Sequence, residues 1–208
     1  MVPVNTSTSL RAEQAAHTRR RILHAAARVF EEQGFAGTRI EDVAATAHVA
    51  VPTVYKVFTN KVNLLIGAVN QSMAGDDITT IDQQAWFAEQ LEEPDPARQL
   101  HLIARNARRL YQRAGRLLDV LRAAAPLDGD LAQAWHDIAT QRVDRSRRTA
   151  KNLTAKAADR ARLGRDDTAA TLLTLTEPDL FTTYTAGKRT ANQYEAWLGD
   201  LLCRALLK

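Results

Sequence analysis

Between Gly37 and Asn60 the chain reads GTRIEDVAATAHVAVPTVYKVFTN, two helix-sized pieces parted by a break too short to be a loop of its own. Thr38 stands where an N-cap belongs, with Glu41 three positions on, a reciprocal capping box that leaves Val43 and Ala44 facing inward. Pro52 is suited to the first position of a second helix, and it pushes Val51 before it out of helical geometry. That second helix is so short that Val54 and Phe58 exhaust its packing face, so at least one of the Thr53 and Tyr55 hydroxyls points outward. Two short helices joined by a tight turn fit a helix-turn-helix, whose second helix lies in the DNA major groove. Outward hydroxyls then reach phosphate, while Val51 and Lys56 come near base edges.

The flanks complete a four-helix unit. Upstream, Ile22, Leu23, Ala26, Val29 and Phe30 recur at helical spacing, with Gly34 at the position of a C-terminal cap. Downstream, Asn60 caps a helix carrying Leu64, Leu65, Ala68 and Val69 that fades at Gly75. Lys61, at the positive end of that helix, is mildly unfavourable alone and becomes favourable if lysine and free amides share a bound phosphate. Arg19, Arg20 and Arg21 form a basic run ahead of the first apolar stripe, compatible either with phosphate or minor-groove contact or with a solvated face.

These residues resemble the TetR family of bacterial transcriptional regulators: EEQGFAGTRIEDVA followed by VPTVYKVFTNK keeps G-F-x-G-T, V-A, T-V-Y, F and N-K in register over roughly residues 17–70. The resemblance implies that Thr38, Thr53, Tyr55 and Lys61 touch backbone phosphates, and that Arg39, Val51, Pro52 and Lys56 lie where bases are read. Val51 is then placed to meet a thymine methyl. Two positions depart from the family pattern. His48 replaces the usual turn glycine and must take or avoid a left-handed conformation, and Ala50 replaces the usual Ser or Thr cap, a loss of about 1 kcal/mol.

Nothing in the rest of the chain reads as strand or repeat, so the fold class is all-α: an N-terminal three-helix helix-turn-helix domain plus a larger helical domain. Residues 1–14 read as a disordered arm, 15–70 as the DNA-binding unit with its linking fourth helix, and 71–208 as the larger domain. A short apolar patch at Trp86 and Phe87 reads as part of the connection. Beyond it lie a long amphipathic helix from Leu100 to near Pro126, another from Leu131 to about Ala157, one interrupted near Pro178, and a closing one through Trp197. The resemblance implies that this domain binds a small-molecule effector and forms a homodimer. Leu172, Leu173, Trp197, Leu201 and Ala205 are candidates for the self-complementary apolar patch of a two-fold interface, with intramolecular core as the bland reading. Tyr111, Trp135, Arg142 and Tyr184 interrupt apolar stripes and are the candidates for an effector pocket. Nine Lys or Arg against two Asp between Arg142 and Arg165 read as a solvated helix face or as an attractor of an anionic ligand.

Other classes find little support. The chain has 208 residues, a net charge of +4, one cysteine (Cys203) and five dispersed histidines, with no Glu-x-x-His, glycine-rich phosphate loop, nucleophile elbow or metal-spaced cluster. No metal, cofactor or catalytic residue is expected. No run of about 18 apolar residues is present, and the polar start is unlike a signal peptide, so the expected address is the cytoplasm without a membrane partner. The expected partners are a double-stranded, near-palindromic DNA operator and a second copy of the chain, with a small-molecule effector as a further candidate. The alternative is a helical ligand-binding or protein-interaction module without specific operator recognition.

Overall fold

A computed structural model describes residues 6–75 and 81–208. The first helix, α1, runs Thr6–Gly37 and is kinked at Gly34, whose φ of 69° and ψ of 177° suit a residue without a Cβ. It begins earlier than the sequence suggests. Residues 6–14, expected as a disordered arm, are helical because LRAEQAA is made almost wholly of strong helix formers, and residues 1–5 lie outside the described residues. Arg19, Arg20 and Arg21 therefore sit within α1 rather than ahead of it.

Three shorter helices follow: α2 (Ile40–Thr46), α3 (Val51–Phe58) and α4 (Lys61–Ala74). The capping box expected at Thr38 does not form. Arg39 occupies the N-cap of α2 without a side-chain bond, while the Thr38 hydroxyl donates to the Gly34 carbonyl at 2.7 Å, across the kink. Burial explains the choice, because Thr38 is 2% exposed and a hydroxyl inside the protein needs the nearest acceptor. Asn60 does cap α4 as expected, accepting from the Asn63 amide at 2.8 Å. The α4 helix runs without interruption past residue 70, where the sequence suggests a domain edge.

The larger part contains α5 (Ala85–Glu92), α6 (Pro96–Ala124), α7 (Gly129–Ala157), α8 (Arg165–Leu175), α9 (Pro178–Thr185) and α10 (Ala191–Leu206). Asp95 and Asp128 cap α6 and α7, and Thr190 with Gln193 makes a capping box on α10. The segment around Trp86, expected as a connection, folds as α5 because Phe87 and Gln90, one turn apart, are both buried, with α5 packed on α6 and α7. At the centre, α6 packs against α1, α4, α7, α9 and α10. Its apolar stripe of Leu100, Ala104, Ala114, Leu117 and Leu121 is fully buried. The α6 and α10 helices pack tightly at Gly199, where an added Cβ would lie 2.3 Å from the His101 ring. An isolated bridge between Ala161 and Leu207 fastens the end of the chain to the α7–α8 connection. Among the described residues there is no strand, and no helix is long and apolar enough to cross a membrane.

Candidate nucleic-acid interface and effector cavity

Two anchors hold α3 in place. Val54 and Phe58, four residues apart, are 1% and 4% exposed and plug the helix into the α1–α4 core. The turn before it is fastened by Arg21, whose guanidinium donates to the Ala47 carbonyl at 2.6 Å and the His48 carbonyl at 3.3 Å. His48 takes the left-handed conformation, at φ 52°, that the family pattern assigns to glycine. Ala50 precedes α3 without any side-chain cap, and Pro52 within its first turn supplies the preset φ instead.

What remains of α3 faces solvent. Tyr55 is 47% exposed, an unusual position for a large aromatic residue. Pro52 and Lys56 are exposed beside it, Arg39 is exposed at the start of α2, and Val51, Thr53 and Lys61 are half-buried. Two expected phosphate ligands are occupied differently. Thr38 is buried with its hydroxyl turned inward, so in this arrangement its side chain offers a phosphate nothing. Lys61 donates to the Thr38 carbonyl at 3.1 Å and lies 4.6 Å above the Phe35 ring, so its ammonium ties α4 to the α1–α2 corner. Of the arginine run, Arg21 holds the turn, Arg19 lies 4.4 Å above Phe58, and Arg20 is exposed.

A cavity of about 90 Å³, open to solvent at its mouth, lies between α5, α6, α7 and α8. Ile81, Trp86, Phe87, Ile103, Leu110 and Leu172 supply its apolar wall, and Gln90, Asn106, Tyr111, Arg142, Arg145, Ser146 and Thr149 supply polar groups. Of the four residues expected to form a pocket, Tyr111 and Arg142 are here. Trp135 and Tyr184 are not in the lining: Trp135 packs half-buried against the core, and Tyr184 stacks on Trp197 at 4.7 Å. The Tyr111 hydroxyl donates to the Thr176 carbonyl at 2.5 Å, and burial pushes its pKa above the usual phenol range. Arg142 Nη1 donates to both carboxylate oxygens of Glu177, each at 2.9 Å, while its Nη2 donates to the Leu173 and Thr176 carbonyls. Arg145 has no such partner among the described residues, and burial pulls its pKa below the usual guanidinium range.

The composition of the 142–165 stretch conceals this wall, because its abundance of charge resembles a solvated surface. Spacing reveals it: Arg142, Arg145, Ser146 and Thr149 stand at i, i+3, i+4 and i+7, one face of α7. Phe87, Asn106 and Gln90 were not legible as lining residues, since they reach the cavity through the packing of α5 on α6.

Of the candidate interface residues, Leu172 is 2% exposed and belongs to the intramolecular core and cavity wall, because α8 turns it toward α7. Leu173, Trp197, Leu201 and Ala205 are half-buried. The last three stand at four-residue steps on one face of α10. Among the described residues no group of three or more His, Cys, Asp or Glu gathers as metal ligands would.

Comparison with known proteins agrees with this geometry. Residues 22–68 match the family described as bacterial regulatory proteins, tetR family. Over 67 residues the chain is 39% identical to the HTH-type transcriptional repressor NicS of Pseudomonas putida, an alignment covering 32% of each protein. The chain thus spans about a third of the length of that curated relative. Its whole fold is similar to NalD, the secondary repressor of the MexAB-OprM multidrug efflux pump in Pseudomonas aeruginosa, at a TM-score of 0.68 and 23% identity, covering 94% of this chain and 98% of the other. A transcriptional regulator from Saccharomonospora viridis in complex with choline superposes at a TM-score of 0.73 and 18% identity, over 92% and 98%. At such identities the likeness is one of fold.

Proposed function

We infer, from a chain whose residues 22–68 belong to the tetR family of bacterial regulatory proteins, that it is a transcriptional repressor binding a near-palindromic operator as a homodimer. The observation that carries this reading is α3 itself: a helix locked by Val54 and Phe58 that turns Pro52, Tyr55 and Lys56 to solvent. An exposed tyrosine and lysine on a rigid short helix suit the major groove, where rigidity positions donors and exposure admits the duplex. Tyr55, Thr53 and Lys61 serve as phosphate ligands in this reading, and Arg39, Val51, Pro52 and Lys56 face bases.

Residues 15–70 form the reading unit and 71–208 the effector and dimer unit, with α4 shared between them. Leu173, Trp197, Leu201 and Ala205 contribute to the two-fold interface, which sets the distance between the two reading helices. The cavity beside α7 is the effector site. Its wall is linked to α4 by Gln84, which donates to the Ala74 carbonyl at 2.9 Å directly before α5, and by Arg113 of α6, which donates to the Ser72 and Met73 carbonyls. A ligand that shifts α5 therefore moves the end of the helix whose start abuts the reading head. Tenfold release from DNA needs about 1.4 kcal/mol of preference for the displaced arrangement.

The test is selection of genomic fragments by the purified protein near physiological salt, with competition by nonspecific DNA. Enrichment of one near-palindrome is expected. Salt-sensitive binding without sequence preference overturns the reading in favour of an interaction module.

A further inference from the structure

Three arginines of α7 line or border the cavity, and two have partners. Arg142 is neutralised by Glu177, and Arg148 by Asp82 at 2.8 Å while it lies over the Phe87 ring at 5.2 Å. Arg145, between them in sequence and facing the same space, has no hydrogen-bond or ion-pair partner among the described residues. The carboxylate that acts on it, Asp82, is bound to Arg148, and a guanidinium in an apolar-walled cavity that shares its counter-ion in this way carries a desolvation cost that an arriving anion relieves.

A second polar group nearby is also unsatisfied. Asn106 is 5% exposed, and its amide nitrogen donates to Gln90 at 3.2 Å and to the Trp86 carbonyl at 3.4 Å, which fixes the orientation of the amide. Its Oδ1 is buried with no partner. The cavity is therefore lined by a cation without an ion-pair partner of its own among the described residues, by Asn106 with an unused acceptor, and by Trp86, Phe87 and Leu110.

We propose that this cavity takes an amphipathic organic carboxylate, its apolar body against Trp86 and Phe87, its carboxylate on Arg145, and a hydroxyl or N–H donor where present on Asn106. A guanidinium matches a carboxylate bidentately, and the fit gains from the exclusion of water by the aromatic wall. A cationic ligand would meet Arg145 as a like charge and is disfavoured. This assignment rests on reading the cavity as the effector site.

The experiment uses the full chain and calorimetric titration with three carboxylates, benzoate, phenylacetate and indole-3-acetate, each beside its neutral amide, and with benzyltrimethylammonium. At least one carboxylate is expected to bind more tightly than its amide by about tenfold or more, and the ammonium not to bind. Arg145→Gln should bring each carboxylate to within about twofold of its amide while leaving amide binding in place. In the absence of ligand the same variant should melt no lower than the parent, since it removes a half-buried charge that has no ion-pair partner of its own among the described residues. Equal affinities for carboxylate and amide in the parent protein overturn the proposal without recourse to any variant. So does a preference that survives Arg145→Gln, or no carboxylate binding up to about 10 mM. DNA affinity measured on the same samples separates the two readings. A carboxylate that binds through Arg145 but leaves DNA affinity unchanged upholds the ligand class and refutes the effector role. Specific DNA binding without carboxylate preference upholds the operator-binding reading and refutes the ligand class.

Discussion

Replacing Lys61 with methionine separates two roles that one ammonium group can hold together. Methionine keeps the aliphatic stem and has nearly the helix propensity of lysine, so the change isolates the charge. In the folded chain that charge donates to the Thr38 carbonyl at 3.1 Å and sits 4.6 Å above the Phe35 ring. A charge-assisted bond at a half-buried site is worth about 1.5 kcal/mol, and a part-exposed cation–π contact about 0.5 kcal/mol. Relief of the unfavourable meeting with the α4 dipole returns about 0.3 kcal/mol. The net loss of roughly 1.7 kcal/mol corresponds, for a chain of this size, to a fall in Tm of about 3–7 °C. Thermal unfolding without DNA reads that part. Two of the three ammonium protons remain for a phosphate, so the slope of log affinity against log salt should also flatten, by about 0.9 per subunit. An unchanged Tm would falsify the anchoring role. A lowered Tm with an unchanged salt slope would restrict Lys61 to holding the corner and remove it from the DNA contacts.

Tyr55→Phe should weaken binding to operator and random duplex alike, whereas Lys56→Ala should relax preference at particular base pairs; sequence-blind losses from both in a competition assay would sink the division of labour. Gly67→Ala puts a Cβ 3.0 Å from Leu23 and 3.2 Å from Phe58, both buried, and overpacking of about 1–3 kcal/mol should outweigh the gain in helix propensity. Chemical denaturation showing the variant as stable as the parent or more so would mean that α3 and α4 yield more readily than their burial suggests. Trp197→Glu combined with Leu201→Glu should give monomers in analytical ultracentrifugation, and persistent dimers would place the two-fold interface elsewhere.

Much of the reading head was legible because its signals are local. Pro52 near the start of α3, the Asn60 cap, the Gly34 break and the four-residue spacing of Val54 and Phe58 each act within one or two turns, and each is found where the sequence puts it except that α3 begins one residue early, with Val51 helical and Pro52 second. Two local readings failed for a tertiary reason. Thr38 has the chemistry of an N-cap, yet burial turns its hydroxyl to the Gly34 carbonyl. Arg21 is one of three consecutive arginines with nothing in sequence to distinguish it, and only the approach of α1 to the α2–α3 turn makes it the turn's anchor.

The amino-acid order by itself determined the all-α class, the helix-turn-helix and which face of α3 is free, because helical period, caps and proline geometry depend on neighbours in the chain. The cavity was decided by tertiary structure. Tyr111 and Arg142 were recognisable as polar interruptions of apolar stripes, but so were Trp135 and Tyr184, and periodicity alone gives no means of telling a residue that lines a cavity from one that stacks on another helix. Arg145 looks the same in sequence as Arg142 and Arg148. What sets it apart is that Glu177 and Asp82 form ion pairs with those two and that, among the described residues, none forms one with Arg145, which feels Asp82 only at a distance, a difference that exists only once α5, α7 and α8 have packed.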